Sequence, residues 1–248
     1  MIRVLDGGAA VIAKAEEANN EGTRRFHVAI SRATGALDIA QTLSTYGPGA
    51  APSRRNPAAE EVLYVLSGEG ICSIDGYRYD LQAGTAAYIP PGSVFQVETA
   101  EGCLTTVSVC CPQEDSVEVG VSMPRLDSAR TKPFRTVNER QRQSIQTGDR
   151  YFKVLVNEVL GAQRVTQFLG TIPPSRAPMH HHTYEEAIYI IEGEGIVWTR
   201  ESSAEFRAGS SIYLPRGVSH CLENNGFADV KLLGVFHPLG SPAVAYDD

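Results

Sequence analysis

His180, His182, Glu186 and His220 are the residues of this chain whose types and spacing could do chemistry. Three imidazoles and one carboxylate suit a borderline divalent ion and leave coordination positions for a small molecule. The first three stand close together in PMHHHTYEEAIYIIEGEG. His220 follows 34 residues after Glu186, in AGSSIYLPRGVSHCLENN. In an extended chain alternate side chains share a face, so His180 and His182 point the same way. Glu186 shares its face with Ile188 and Ile190 on the strand that continues beyond a bend. Pro215 and Gly217 mark a turn between strands, from which a neighbouring strand brings His220 to the same point. By the same alternation His181 and Glu185 point away from the group.

The two segments resemble the two motifs of the cupin family. His180, His182, Glu186 and Gly193 fit the first, His-x-His, three residues, Glu, six residues, Gly. Gly209, Pro215, Gly217, His220 and Asn224 fit the second, Gly, five residues, Pro-x-Gly, two residues, His, three residues, Asn. Nine residues at set spacings are far more specific than a pair of histidines, which alone would equally fit a solvated surface run. The resemblance implies an all-β fold of jelly-roll (double-stranded β-helix) barrels. It also implies one divalent transition metal, Fe, Mn, Ni, Cu or Zn, on His180, His182, Glu186 and His220.

The elements needed to position such a group are strands. Runs such as FHVAI, ALDIAQTLS, EVLYVLSG, GICSIDG, AAYIPPG and CLTTVSVC are rich in β-branched and aromatic residues and are separated by Gly, Pro, Asn and Asp. Helical periodicity is weak, with short helical pieces expected only within 10 to 20 and 137 to 145. A repeat organises the whole. Adding 125 carries Glu60 and Glu61 to Glu185 and Glu186, Tyr64 to Tyr189, Gly68 to Gly193, Tyr88 to Tyr213 and Pro90 to Pro215. Two tandem barrels follow: 1–112, then a polar linker 113–149, then 150–248. In double-domain relatives similar linkers run across the opposite domain.

The halves differ at the chemistry. The same offset places Arg55 at the position of His180, Pro57 at that of His182 and Phe95 at that of His220, leaving only Glu61. Guanidinium, proline and phenyl groups are not metal ligands, so the first barrel is expected to be metal-free. Two readings of it stay open. Either its centre is structural, filled by Phe95 with Arg55 paired to Glu61, or it binds an anion through Arg54 or Arg55.

Composition narrows the partners. The 248 residues carry a net charge of -7 and a pI near 5.4, which argues against nucleic-acid or anionic-membrane partners. No uninterrupted apolar run reaches membrane-spanning length, and the N-terminus lacks a secretory core. Five cysteines, an odd number without C-x-x-C spacing, fit reduced thiols in a cytoplasmic protein.

Function is less constrained than fold. Cupins with three His and one Glu include dioxygenases, oxalate-degrading enzymes, sugar isomerases and seed or germin-like proteins. The expectation is a metal-dependent enzyme acting on a small polar molecule, foremost a dioxygenase-type oxidoreductase, with Glu186 as ligand and as acceptor of a substrate proton. The alternatives are a metal-dependent hydrolase or isomerase and a non-enzymatic metal- or ligand-binding protein. Ureidoglycine aminohydrolases share the plan of an empty first barrel, and their first barrel has a run similar to EEVLYVLSGEG. They carry Glu and Gln where this chain has His180 and His220. Other polar candidates are Gln167, Arg176, Tyr189, Trp198, Tyr213 and His237. Tyr189 and Tyr213 are repeated as Tyr64 and Tyr88, which favours packing. Gln167, set opposite Thr42 by the offset, is the candidate substrate contact. The fused barrels mimic a cupin dimer, and further homodimerisation is expected of relatives.

Overall fold

In the computed structural model, residues 1–13, 18–113, 116–125 and 131–243 are described. They form two β-barrels, each of a large sheet closed against a smaller one. The first barrel's large sheet runs, edge to edge, Thr136–Asn138, Thr85–Ile89, Glu60–Ser67, Leu104–Cys111, Ala40–Tyr46, Arg24–Ile30 and Asn19–Glu21. Its smaller sheet contains Tyr77–Gln82, Glu69–Ile74, Val94–Thr99, Arg54–Arg55 and Glu118–Val119. In the second barrel the large sheet centres on Glu185–Glu192, Val230–His237 and Thr166–Ile172. Its smaller sheet orders Ser175–Arg176, His220–Asn224, Glu194–Thr199 and Ser203–Arg207.

Burial explains why the central strands read as unbroken apolar runs. Glu60–Ser67 and Glu185–Glu192 are covered on both faces. One face turns into its own barrel, as Leu63, Val65, Ile188 and Ile190 do. The other joins a shared core in which Val62, Tyr64, Tyr88 and Val109 meet Leu155, Leu169, Tyr189, Tyr213 and Val235. The large sheets are therefore stacked back to back. Strands of the smaller sheets alternate instead, as in Tyr77–Gln82 and Ser203–Arg207, because one of their faces meets solvent.

Strand exchange crosses the division of the chain into 1–112, 113–149 and 150–248. Ala10–Ile12 pairs with Ser211–Leu214 of the second barrel, aligning Ala10 with Tyr213, and Ile2–Val4 extends that edge. Thr136–Asn138 pairs with Thr85–Ile89 of the first barrel. Glu118–Val119, from the same connecting stretch, pairs with Arg54–Arg55. The helix expected within 10 to 20 is absent among the described residues: Ala10–Ile12 and Asn19–Glu21 are strands, and 14–17 lie outside those described. Pairing to a sheet edge overrides the weak local helical preference there. Within 137 to 145 a single 3-10 turn forms at Glu139–Gln141, capped by the Asn138 side chain on the Arg140 N–H.

Candidate metal centre

His180, His182 and His220 converge in the second barrel. Their ring centroids stand 4.9, 4.7 and 5.1 Å apart, a nearly equilateral triangle. One ligand nitrogen from each lies within 4.8 Å of the others. The backbone sets this arrangement. His180 and His220 form a two-way bridge, each backbone N–H donating to the other's carbonyl at 3.0 and 2.8 Å. Gly217, at φ +73°, makes the turn before His220 and donates its N–H to the His182 carbonyl at 2.7 Å. A side chain is disfavoured in that left-handed conformation, hence the glycine.

The rings are held as well as the backbone. Nδ1 of His180 lies 3.1 Å from the Pro178 carbonyl and Nδ1 of His220 lies 2.8 Å from that of Val218. A carbonyl only accepts, so both protons sit on Nδ1 and Nε2 is the lone-pair nitrogen, the arrangement a metal-binding histidine needs. Tyr184 stacks on His182 at 4.6 Å and 12°, and its hydroxyl donates to the Ser241 carbonyl.

Glu186 lies beside this triangle, with Oε2 at 3.7 Å from His182 Nε2. That distance exceeds a hydrogen bond, and the pair is not an ion pair while His182 is neutral. Burial drives His182 down to about 3 and His220 to about 4, with the neighbouring imidazoles pushing the same way; burial also lowers His180. Burial alone lifts Glu186 to about 8. Three imidazoles that stay unprotonated and a carboxylate that lacks a compensating charge thus stand side by side. A divalent cation fits this donor set: it supplies the missing positive charge and accepts lone pairs that are already deprotonated.

The four residues line a cavity of about 90 Å³. Phe152, Phe168, Ile188, Leu222, Leu232 and Phe236 supply its apolar wall, and Thr147, Arg150, Tyr151 and Thr171 add polar residues. Phe168 and Phe236 are in contact at 4.7 Å between centroids.

The remaining sequence candidates lie elsewhere. His181 is exposed. Phe168, Gly170 and Ile172 line the cavity, and Gln167, fully buried and of the same parity as Leu169 in the shared core, is on the opposite face of the strand. Its twin is Gln41 rather than Thr42, since Gln41 pairs with Val109 as Gln167 pairs with Val235. Tyr189 packs in the shared core, and Tyr213 donates to Glu185 at 2.6 Å. Arg176 stacks over Trp198, whose Nε1 donates to Glu223, on the outer face of the smaller sheet. His237 sits 3.5 Å from Asp38 in the other barrel. Arg150 and Tyr184 had no signal in the two motifs; Arg150 becomes visible only through the repeat.

The first barrel corrects the sequence alignment by one residue. Arg54, not Arg55, pairs with Phe95 as His180 pairs with His220, so Arg54 stands in the place of His180 and Asn56, not Pro57, in that of His182. One extra residue between Asn56 and Glu60 hides this from a constant offset. Glu61 accepts a hydrogen bond from Asn56 Nδ2 at 2.8 Å and faces Arg54 at 3.8 Å. Arg55 pairs with Glu118 instead of Glu61. The Arg54 guanidinium, over the Phe95 ring at 5.3 Å, thus puts a fixed cation where the second barrel gathers ligands for one.

Comparison with known proteins agrees with this architecture. The family model described as a cupin domain matches twice, over residues 42–107 and 168–236. Oxalate-binding protein of Thermotoga maritima is 34% identical over 64 residues, covering 25% of this chain and 53% of that protein. Auxin-binding protein 1 of Arabidopsis thaliana is 26% identical over 98 residues, 36% of this chain and 50% of that protein. The chain therefore spans about half the length of these curated relatives. Among solved structures, a glyoxylate-induced protein of Pseudomonas aeruginosa superposes with TM-score 0.77 at 18% identity, covering 100% of this chain and 95% of that one. A mutant of Bacillus subtilis oxalate decarboxylase gives 0.76 at 15% identity over 92% of this chain and 76% of that one. At such identities the likeness is one of fold. With both matches falling on the two barrels, the chain belongs to the cupin family and is a bicupin, two cupin domains in tandem.

Proposed function

We propose that the second barrel holds one divalent transition metal, Fe, Mn, Ni, Cu or Zn, on His180, His182, Glu186 and His220, and that the protein is an enzyme acting on a small polar molecule. The reading rests on one observation: three unprotonated imidazoles and a buried carboxylate meet at an apolar-walled cavity. The reaction class that fits best is oxidation by dioxygen, as in a dioxygenase-type oxidoreductase. A bound metal supplies Lewis acidity and, when redox-active, electrons to dioxygen. Phe152, Phe168 and Phe236 exclude bulk water from the reacting atoms, and Glu186 is the single carboxylate among the described residues lining the cavity. It is therefore the group placed to take a substrate proton at an Oε atom when ligation leaves that oxygen available. The relatives' names mention oxalate and auxin, both carboxylates, which supports a small organic acid as substrate. None of the five cysteines forms a disulfide, in keeping with a reducing cytoplasm.

Metal analysis of protein purified without chelator, followed by oxygen-electrode assays against a panel of small acids, tests the reading. Iron, copper, nickel or manganese with oxygen uptake supports it. Zinc or manganese with turnover but no uptake transfers the site to hydrolysis or isomerisation. Absence of any metal after reconstitution with several ions overturns it.

A further inference from the structure

Arg24 and Arg150 occupy the same place in the two barrels. Arg24 lies opposite Glu21 in its hairpin as Arg150 lies opposite Thr147. One pleat along, Phe26 pairs with Ser44 as Phe152 pairs with Gly170. Their surroundings differ in a consistent way. Arg24 has side-chain acceptors of its own: Nε donates to Ser44 Oγ at 3.1 Å, Nη1 donates to Glu21 at 3.1 Å, and the guanidinium lies 4.1 Å from the Phe26 ring centre.

The second barrel has lost both acceptors. Thr147 replaces Glu21 and Gly170 replaces Ser44, and both replacements line the cavity. Arg150 keeps one hydrogen bond, from Nη2 to the Leu222 carbonyl at 2.7 Å. Its Nε is buried and makes no hydrogen bond, facing only the Asp149 carboxylate at 3.6 Å, beyond hydrogen-bond reach and itself 54% exposed. A buried guanidinium donor without an acceptor is costly, so a position that strips two acceptors from an arginine while opening space beside it is suited to an incoming one.

We propose that Arg150 anchors the carboxylate of the ligand that enters this cavity, and that the ligand is a short hydroxy- or oxo-carboxylate. Guanidinium matches a carboxylate by two parallel N–H to O contacts, which a neutral group cannot reproduce. The cavity of about 90 Å³ suits a body of a few carbon atoms, and Phe168, Ile188, Leu232 and Phe236 favour an apolar one. The second oxygen is assigned to the end of the cavity bounded by His180, His182, Glu186 and His220. That last assignment alone rests on the metal-centre reading above.

The test is titration calorimetry with lactate and with its uncharged analogue lactamide, on chelator-treated and on manganese-loaded protein. Lactate is expected to bind both forms, more tightly when manganese is present, and lactamide at least tenfold more weakly to the chelator-treated form. Arg150→Gln should weaken lactate at least tenfold in both forms while manganese stoichiometry is unchanged, with Arg150→Lys recovering part of the loss. Gly170→Ser puts back the hydroxyl that occupies Arg24 in the first barrel; it keeps the charge yet should weaken lactate severalfold. An added Cβ there meets Leu232 Cδ1 at 3.0 Å, a side-chain end that can shift. Equal affinity for lactate and lactamide in the chelator-treated form, or wild-type lactate affinity in Arg150→Gln, overturns the proposal. Should Arg150→Gln not fold, Gly170→Ser and the lactamide contrast decide it. A protein that takes up no manganese, nor any other ion, but binds lactate through Arg150 overturns the metal reading and supports this one.

Discussion

Glu60 and Glu185 reach out of their own barrels and grip the other's backbone at equivalent places. Glu60 accepts from the N–H groups of Gln163 and Arg164 at 2.8 and 3.0 Å; Glu185 accepts from those of Leu37 and Asp38 at 2.8 and 2.9 Å. Tyr88 and Tyr213 steady the two carboxylates from behind. Each carboxylate is buried, so every acceptor position matters. Glu60→Gln or Glu185→Gln keeps one acceptor and turns an NH2 toward the second donor. Hydrogen bonds to charged groups contribute roughly 1.5–3 kcal/mol each, and a loss of that order is expected in urea unfolding of either variant. Glu185→Gln should nevertheless retain the metal, since its side chain faces away from Glu186.

The ligand set predicts a stoichiometry. Wild-type protein should bind one metal per chain, and His182→Ala or His220→Ala should bind none, by elemental analysis after gel filtration. Glu186→Gln removes the anionic ligand and should weaken binding at least tenfold. Because ligands that bind only the folded state stabilise it by mass action, metal should raise the wild-type melting temperature and leave that of His220→Ala unmoved.

In the first barrel Arg54 neutralises Glu61 from 3.8 Å, with Asn56 donating to the same carboxylate. Arg54→Met leaves that carboxylate buried beside one neutral donor and should cost about 3 kcal/mol or more in unfolding free energy. Pairing it with Glu61→Gln should recover most of the loss, because the uncompensated charge has gone. Strict additivity of the two variants would contradict this account.

In metal-free protein the carboxylate and the imidazoles should shift stability with pH in opposite senses. Glu186 is raised from its ordinary carboxylate range to about 8, so its contribution is present at low pH and is lost as pH rises toward 8. His182 and His220 are depressed to about 3 and about 4, so theirs is present above the ordinary histidine range and is lost as pH falls through it. Above about 6.5 only the carboxylate slope operates, about 1.4 kcal/mol per pH unit; below it the histidines outweigh Glu186. Melting temperature of metal-free protein should therefore peak near pH 6.5 and decline on both sides. With metal bound the alkaline decline should vanish, since the carboxylate is then held ionised.

How much of this was legible depended on what each residue does. His180, His182, Glu186 and His220 stood out because ligands must converge, and convergence from two strands imposes fixed spacings. The repeat revealed two barrels because Gly, Pro and Glu at matching places serve the same turns and the same contacts between the halves. Arg54 was misplaced by one position because the extra residue sits in an extended loop, where length carries no periodic mark. Arg150 escaped notice for a related reason: its strand follows an offset of one more than the motifs do, and an arginine's significance lies in its missing partners. The same one-residue slip sets Gln167 opposite Thr42 instead of Gln41. The short strand Ala10–Ile12 gave no warning, since three apolar residues do not say which barrel they will join.

That exchange of short strands has an evolutionary corollary. Ala10–Ile12 shields the flank of the strand carrying Tyr213, while Thr136–Asn138 returns the service to Thr85–Ile89. Scissors placed in the connecting stretch before Thr136 would leave both fragments with a raw margin, and unpaired margins invite clumping. The barrel without the histidine triangle thereby keeps a place in the molecule, as the supplier of an edge to the barrel that has it.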